Sequence, residues 1–142
     1  MAETEFPDGS RYTGDLDPET SQKHGFGTWH FPANHLHVGC YYTGQFENDQ
    51  QNGQGTLYYP NHNKWYSGGF LNNLRHGEGT LYWNSGLIWY SGSWANDQRS
   101  GSGTEYFRGE ETQGEPEYTG QFSDNKYSGT GQLYYHDHPN EI

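Results

Sequence analysis

A pattern that occurs five times along the chain constrains its fold more than any other feature. Tyr-x-Gly stands at Tyr12, Tyr42, Tyr66, Tyr90 and Tyr118, and a Gly-x-Gly follows each copy. In the last four copies the first glycine of the second motif lies nine positions after the glycine of the first, and in the first copy the offset is eleven. Such fixed spacing is typical of repeat proteins, in which each unit contacts only its neighbours. It favours an extended binding surface over a catalytic pocket.

The residues inside each unit alternate with period two, which predicts strands. The second unit reads YTGQF over 42–46 and GQGTLYY over 53–59. Turn formers such as Asn48-Asp49 separate the two halves, and further turn formers follow the second half. We therefore predict about ten short antiparallel strands, each joined to the next by a hairpin, and almost no helix.

Period two also sorts the side chains onto two faces of this sheet. Face one carries the repeat tyrosines and the residues in phase with them, which in the second unit are Tyr42, Gly44, Phe46, Leu57 and Tyr59. Face two carries the residues between them, which are Thr43, Gln45, Thr56 and Tyr58. Glycine normally weakens a strand. Because it recurs opposite large rings, we expect it to make room for them on face one.

A second set of aromatic residues is predicted on face two. Three of its members directly precede repeat tyrosines, and the others lie in the second halves of the units: Tyr41, Trp65, Trp89, Tyr58, Tyr82 and Tyr106. We interpret this stripe as a candidate surface for binding a partner protein, because aromatic residues are enriched at interface hot spots. The alternative is that a one-layer sheet, with no second layer to cover it, needs rings on both faces for its own stability.

The composition excludes some functions. Of the 142 residues, 18% are aromatic and only 29% are hydrophobic, with a mean hydropathy of -1.20, so the core must be a thin layer of rings over a glycine-rich backbone. The formal net charge of -11 argues against nucleic acid, whose phosphates need clustered Lys and Arg. The same charge disfavours contact with an anionic membrane without excluding it.

Two histidine pairs have the alternate spacing of metal ligands, His35 with His37 and His136 with His138. Both pairs lie in predicted turn or terminal segments, without a cysteine or matched carboxylates beside them. This setting favours polar loop histidines over a metal site. We predict no metal and no cofactor.

No other residues form a convergent catalytic set. Glu110-Glu111 lies in an acidic loop with no predicted pocket to raise a pKa, and the Gly-x-Gly copies precede no helix that could bind phosphate. Cys40, the single cysteine, excludes an intramolecular disulfide and has no positioned histidine. We predict that the protein is not an enzyme. The absence of a signal peptide or an apolar span predicts a cytoplasmic location.

The assembled unit resembles the membrane occupation and recognition nexus (MORN) repeat, which reads Y-x-G-x-[FW], then G-x-G-T-[LW]-[YH]-[YFW], then a Pro-Asp-Gly-like turn. The resemblance runs from about Phe6 to Tyr135, and FPDGSRYTG at 6–14 is similar to the junction between two units. The period of 24 is one longer than usual. Glu105 replaces the expected apolar residue after Gly103-Thr104, and because of that replacement we expect an irregularity in the fourth unit. We divide a single domain, 1–142, into units 12–41, 42–65, 66–89, 90–117 and 118–142, with 6–11 as the remnant of a preceding unit.

The resemblance implies an all-β fold, a single-layer twisted antiparallel sheet of tandem hairpins that forms an elongated groove. It also implies a non-enzymatic scaffold or adaptor that binds proteins of a larger assembly. Similar repeats occur in radial spoke heads, which favours the cytoskeleton or the ciliary axoneme as the location. The alternative is a peripheral membrane module that recognises phospholipids. A second copy of the chain is a further candidate partner, because the terminal strands leave open edges. A regulatory module of an enzyme encoded elsewhere and an engineered repeat protein also remain open.

Overall fold

One antiparallel sheet contains every strand of the protein that the structure describes. The structure is a computed structural model and describes residues 3–112 and 114–135. Eleven strands lie side by side in chain order, which confirms the predicted all-β antiparallel architecture. They are β1 (Glu3–Glu5), β2 (Arg11–Leu16), β3 (Lys23–His30), β4 (Tyr41–Glu47), β5 (Gln50–Tyr58), β6 (Lys64–Leu71), β7 (Leu74–Tyr82), β8 (Ile88–Ala95), β9 (Gln98–Tyr106), β10 (Pro116–Ser123) and β11 (Lys126–Leu133). A 3₁₀ helix, Glu110–Thr112, lies between β9 and β10.

The strand beyond the predicted ten is β1. It pairs with β2, placing Glu3 opposite Thr13 and Glu5 opposite Arg11. Residues 6–11 are predicted to be the remnant of a preceding unit, and β1 lies directly before them. Three residues of which two are acidic show no alternating apolar pattern, so period two could not identify this strand.

Two-residue turns close four of the hairpins. In the turn between β4 and β5, Asn48 and Asp49 both have positive φ, 50° and 73°. The pairs at 72–73, 96–97 and 124–125 have the same conformation. Positive φ at both central residues defines a type I′ turn, which Asn and Asp tolerate and whose twist matches that of the flanking strands.

The second residue of each of these turns also binds the preceding hairpin. Asp49 donates its N–H to the carbonyl oxygen of Lys23 at 2.9 Å, and its Oδ1 accepts the N–H of Lys23 at 3.0 Å. We call this reciprocal pair of bonds a turn clasp. The same clasp joins Asn73 to Gln51, Asp97 to Arg75 and Asn125 to Arg99. The clasps fix each hairpin in register with the one before it.

The paired glycines make room for rings, as the sequence predicts. Gly44 lies opposite Gly55 in the register of β4 and β5. A Cβ on Gly55 would collide with the ring and hydroxyl of Tyr42, and a Cβ on Gly44 would collide with the backbone of Gly55. The equivalent glycines in the other units have the same surroundings. The glycine motif therefore specifies where a tyrosine can lie flat against the sheet.

Candidate protein-interaction groove

The repeat tyrosines form the floor of face one. Their side chains are almost fully buried, with exposures of 0–5%. Each hydroxyl donates to the carbonyl oxygen three residues later, at 2.7–2.9 Å. Burial raises the pKa of Tyr12 and of Tyr90 to about 12, and it also raises the pKa values of Tyr42 and Tyr66. These four hydroxyls therefore stay protonated at neutral pH and act as fixed donors rather than as bases.

A second set of rings stands edge-on against this floor. Phe46 contacts the rings of Tyr12 and Tyr42, with centroids 5.3 and 5.0 Å apart and planes nearly perpendicular. In each later unit the equivalent ring also contacts the tyrosine of its own unit and that of the unit before; these rings are Phe70, Trp94 and Phe122. Each such pair contributes about 0.5–1.5 kcal/mol beyond its buried area. The rings link all five units into one rigid floor.

Trp65 lies on face one, so its predicted place on face two is wrong. The register between β5 and β6 shifts next to it, because Tyr58 pairs with Lys64 and leaves Trp65 as an extra residue. A β-bulge of this kind turns the extra side chain toward the other face. Trp65 accordingly packs on the ring of Tyr59, with 5.8 Å between centroids, and against the core.

The same correction applies to Trp89. Tyr82 pairs with Ile88, so Trp89 is again the extra residue of a bulge. Its ring stacks on that of Trp83, with centroids 3.6 Å apart and planes at 5°. The guanidinium of Arg108 lies 4.1 Å from the ring centroid of Trp83.

The predicted irregularity next to Glu105 exists as a register shift between β9 and β10. It is similar to the bulges at Trp65 and Trp89 and is not unique to the fourth unit.

These tryptophans belong to an aromatic wall along one side of face one. The wall consists of partly buried rings packed against the core, namely Trp29, Phe31, Trp65 and Trp89. The first long loop adds two imidazoles, since His35 lies 5.1 Å from Phe31 and His37 lies 4.8 Å from Trp65, measured between centroids. The sequence predicts polar loop histidines here rather than metal ligands, and it does not predict their contact with the wall. No group of three or more His, Cys, Asp or Glu residues within 3–112 and 114–135 could hold a metal ion, and His136 and His138 lie outside the described residues.

Three cations near the two-residue turns form a polar wall, and none of them was predicted from the sequence as a site residue. Lys23, Arg75 and Arg99 each lie two positions before a Gly-x-Gly, where the turn clasps hold their backbones. Lys23 Nζ lies 4.8 Å from the ring centroid of Phe6 and 5.9 Å from that of Trp29, so this side chain reaches the aromatic wall at the first unit. The Arg75 guanidinium lies 4.5 Å from the ring centroid of Trp94 on the floor. The sequence signal was the recurrence of long basic side chains at one position of the unit.

Each cation of the polar wall has an acidic partner. Lys23 pairs with Asp49 at 3.1 Å, Arg75 with Asp97 at 2.6 Å and Arg99 with Glu105 at 2.7 Å. Burial opposes ionisation of Asp49, but hydrogen bonds from the backbone and ammonium of Lys23 outweigh it and lower the pKa of that carboxyl. The wall is therefore ionic but locally balanced, in contrast to the strongly acidic chain as a whole.

A continuous groove runs between the two walls. Three adjoining hollows of about 340, 370 and 310 Å³ occupy it. The first and second share Phe31, Gln51 and Asn73, and the second and third share Trp65 and Arg75. From Lys23 in β3 to Arg99 in β9 the groove crosses seven strands, which at roughly 4.8 Å per strand interval gives roughly 30 Å. This length equals that of a helix of about 20 residues, at 1.5 Å per residue.

The remaining rings of the predicted stripe lie elsewhere. Tyr41 and Tyr58 stack on each other with centroids 4.8 Å apart, and the hydroxyl of Tyr41 is hydrogen-bonded to Nδ1 of His62 at 2.9 Å. Tyr82 and Tyr106 occupy the position of Tyr58 in the third and fourth units and are partly buried. The structure therefore divides the six predicted residues between two surfaces.

The residues weighed for catalysis are not brought together. Cys40 is buried, and burial raises the pKa of its thiol, which disfavours the reactive thiolate. Glu110 and Glu111 begin the short 3₁₀ helix of the acidic loop.

Among the described residues, no helix has the length and apolar character needed to span a membrane.

The comparisons with known proteins identify the repeat. The family model for the MORN repeat matches residues 21–35, 42–64, 66–88, 90–109 and 118–138, which together make up well over half of the chain. The search of curated proteins found no match to this chain. The last four matched segments each begin at a repeat tyrosine and the first lies after Tyr12, and the chain belongs to the MORN repeat family.

Proposed function

We propose that this protein is a non-enzymatic scaffold that holds an amphipathic segment of a partner protein in the groove of face one. The observation that carries the proposal is the groove itself, with an aromatic wall on one side and an ionic wall on the other. An amphipathic helix presents an apolar stripe and a polar face together, which is the pattern that such a groove fits. Aromatic and arginine side chains are also the residues most enriched at binding hot spots.

The floor supports the proposal because it is already organised. The buried tyrosine rings, their hydroxyl bonds and the perpendicular rings above them leave little conformational freedom to be lost on binding. A preformed surface binds more tightly than one that must order itself. Trp65 and Trp89 are the strongest candidates for contact residues, because they stand on this floor and remain partly exposed.

The charge of the chain specifies the partner further. The chain carries a formal net charge of -11, and each of the three cations of the groove is paired with an acid. We therefore expect the polar face of the bound segment to be basic, since complementary charge accelerates association and suppresses wrong partners. Binding should weaken as the salt concentration rises.

Affinity purification from native extract tests the proposal. The bait is the wild-type chain, compared with Trp65→Ala/Trp89→Ala in the groove and Tyr41→Ala/Tyr58→Ala on face two. We expect a stoichiometric partner that the groove variant loses and the face-two variant keeps, with thermal melting showing that both variants are folded at the assay temperature. Loss of the partner by the face-two variant alone would move the site to face two, and absence of any stoichiometric partner would refute the scaffold.

Phospholipid recognition at a membrane surface is the second candidate function, and the family name is its motivation. Flotation with phosphoinositide-containing vesicles tests it directly. We expect no flotation, because the cations of the groove are paired with acids and the chain carries eleven net negative charges. A cytoplasmic location is also part of our proposal, and its narrower form, at the cytoskeleton or in the ciliary axoneme, rests on the resemblance alone. Imaging of a fluorescently tagged chain tests that location.

A further inference from the structure

The aromatic wall of the groove becomes acidic between the fourth and fifth units. Glu117 directly precedes the repeat tyrosine Tyr118, which is the place that Trp65 and Trp89 hold before their own tyrosines. The register of β10 against β9 shifts here as it does at the two tryptophans, because the pairing skips Glu117. Glu117 is therefore the extra residue of a bulge, and we place it on face one, as Trp65 and Trp89 are.

The floor changes at the same junction. Glu105 has the position of Leu57 and Leu81 in the second and third units, where the two leucines are 6% and 5% exposed. The side chain of Glu105 is 20% exposed, and its Oε2 accepts a hydrogen bond from Arg99 at 2.7 Å. A carboxylate thus lies where the floor of the two preceding units is aliphatic.

The polar wall changes in the opposite sense. Tyr127 lies two positions before a Gly-x-Gly, which is the place of the three cations in their units. Its ring stacks on that of Tyr118, with centroids 3.9 Å apart and planes at 9°. Burial, and after it the charges of Glu105 and Glu117, raise the pKa of Tyr127 to about 12. Both carboxylates are therefore close enough to this ring for their charges to act on it.

We call Glu105, Glu117 and Tyr127 the acidic junction of the groove. Arg99 neutralises Glu105, whereas none of the ion pairs among the described residues includes Glu117. An ammonium or guanidinium group would pair with that carboxylate and contact the ring of Tyr127, which is 43% exposed. An apolar side chain would cover the carboxylate without pairing it, which is unfavourable.

We propose that the acidic junction fixes the register of the segment bound in the groove, by accepting a lysine or arginine of that segment while Trp65 and Trp89 contact apolar residues. The inference rests on the proposed function and adds to it the position of one charged residue. Trp65, Trp89 and Glu117 lie in β6, β8 and β10, so roughly 10 Å separates each from the next at 4.8 Å per strand interval. In a helix this distance corresponds to about seven residues. The bound segment should therefore carry two apolar residues and then one basic residue, at successive intervals of about seven.

Two synthetic helical peptides of about 21 residues test this register by titration. Both carry leucine at the first two of the three positions, and the third position is lysine in one peptide and norleucine in the other. We expect the wild-type chain to bind the lysine peptide about fivefold more tightly than the norleucine peptide. Glu117→Gln should abolish this preference, because it removes the charge and keeps the size of the side chain. Glu78→Gln is the matched control, since it removes the same charge from an exposed residue of face two and should keep the preference.

The outcomes separate this inference from the proposed function. Equal affinities of the wild type for the two peptides, or a preference for lysine that Glu117→Gln retains, would overturn the register and leave the groove as a binding site. Failure of both peptides to bind the wild type would refute the proposed function, and the register with it.

A nitroxide label beside the lysine of the peptide tests the direction of binding. We expect it to broaden the amide resonances of β10 and to leave those of β4 unchanged, because six strand intervals separate these strands. Broadening of β4 in place of β10, or of both strands equally, would contradict a single register.

Discussion

On face one the ring of Tyr66 is fully buried under Phe70 and Trp94, whereas on face two the ring of Tyr58 contacts Tyr41 and remains partly exposed. Both faces are rich in aromatic residues, so ring content alone does not make a core. The difference arises from the paired glycines, which let a ring lie against the backbone on face one. A one-layer sheet can thus build its core on one side and leave the other side for solvent.

Of the substitutions considered, that of Gly79 should disrupt the packing on face one most severely. A Cβ there would collide with the ring and hydroxyl of Tyr66, and we expect Gly79→Ala to destabilise the fold by about 3 kcal/mol or more. Gly77→Ala is the control, because Gly77 has a φ of 82° but no atom within 4 Å of the added Cβ. That variant should lose only about 1 kcal/mol of backbone strain. Urea unfolding measures both, and equal losses would contradict the role of the ring.

Truncation of one ring from each face sharpens the comparison. Trp65→Ala should lower the free energy of unfolding by about 2 kcal/mol, less than for a fully buried tryptophan because the ring is partly exposed. Tyr58→Ala should lower it by about 1 kcal/mol, since it removes mainly the stack with Tyr41. Calorimetric melting measures both. A larger loss from Tyr58→Ala would place the main core on face two.

Because the hydroxyl of Tyr66 is buried, the free energy of unfolding should fall at alkaline pH. Burial raises the pKa of Tyr66 above its usual 10.0, so the unfolded chain ionises there first. Its stabilising contribution is therefore complete below about pH 10 and is lost as the pH rises above that value. Tyr66→Phe should cost about 1 kcal/mol at neutral pH by removing the bond to the carbonyl of Gly69.

Melting between pH 8 and pH 11 measures this effect. The decline in stability above pH 10 should be shallower in Tyr66→Phe than in the wild type. Tyr135→Phe, at a side chain that is 89% exposed, should leave the decline unchanged. Identical slopes in all three proteins would contradict the buried-hydroxyl explanation.

Removal of the side-chain bond of one turn clasp should have the smallest effect on the free energy of unfolding. Asn73→Gly keeps the positive φ of the turn but deletes the side-chain bond to the N–H of Gln51. We expect a loss of about 0.5–1 kcal/mol. Asn72→Gly, at the first residue of the same turn, should be close to neutral. Thermal melting distinguishes the two, and an equal loss from both would attribute the effect to glycine rather than to the clasp.

The sequence predicted the strands and the pairing of glycine with tyrosine because both depend on local spacing. The alternation around Tyr42 and Gly44 repeats in every unit, so it could be read without coordinates. The faces of Trp65 and Trp89 could not be read in this way, because period two assumes that no residue is inserted. One extra residue opposite Tyr58 was enough to move Trp65 to the other face.

The polar wall of the groove could not be predicted from the sequence, for a different reason. Lys23 is held by Asp49 and Arg75 by Asp97, residues that are 26 and 22 positions away. Alternation within one strand contains no information about contacts with the turn of the next hairpin. The recurrence of basic residues two positions before Gly-x-Gly was visible, but only the contacts of their side chains with aromatic rings show which surface they occupy.

The arrangement of the strands in chain order has a consequence for how the polypeptide acquires its structure. Each strand of the described sheet pairs only with the strands before and after it in the chain, so no pairing joins distant parts of the sequence and relative contact order is low. Hairpins can therefore form one after another as the chain leaves the ribosome, each docking on the growing end. A mechanical load applied to the last strand should in turn peel the ribbon away one hairpin at a time.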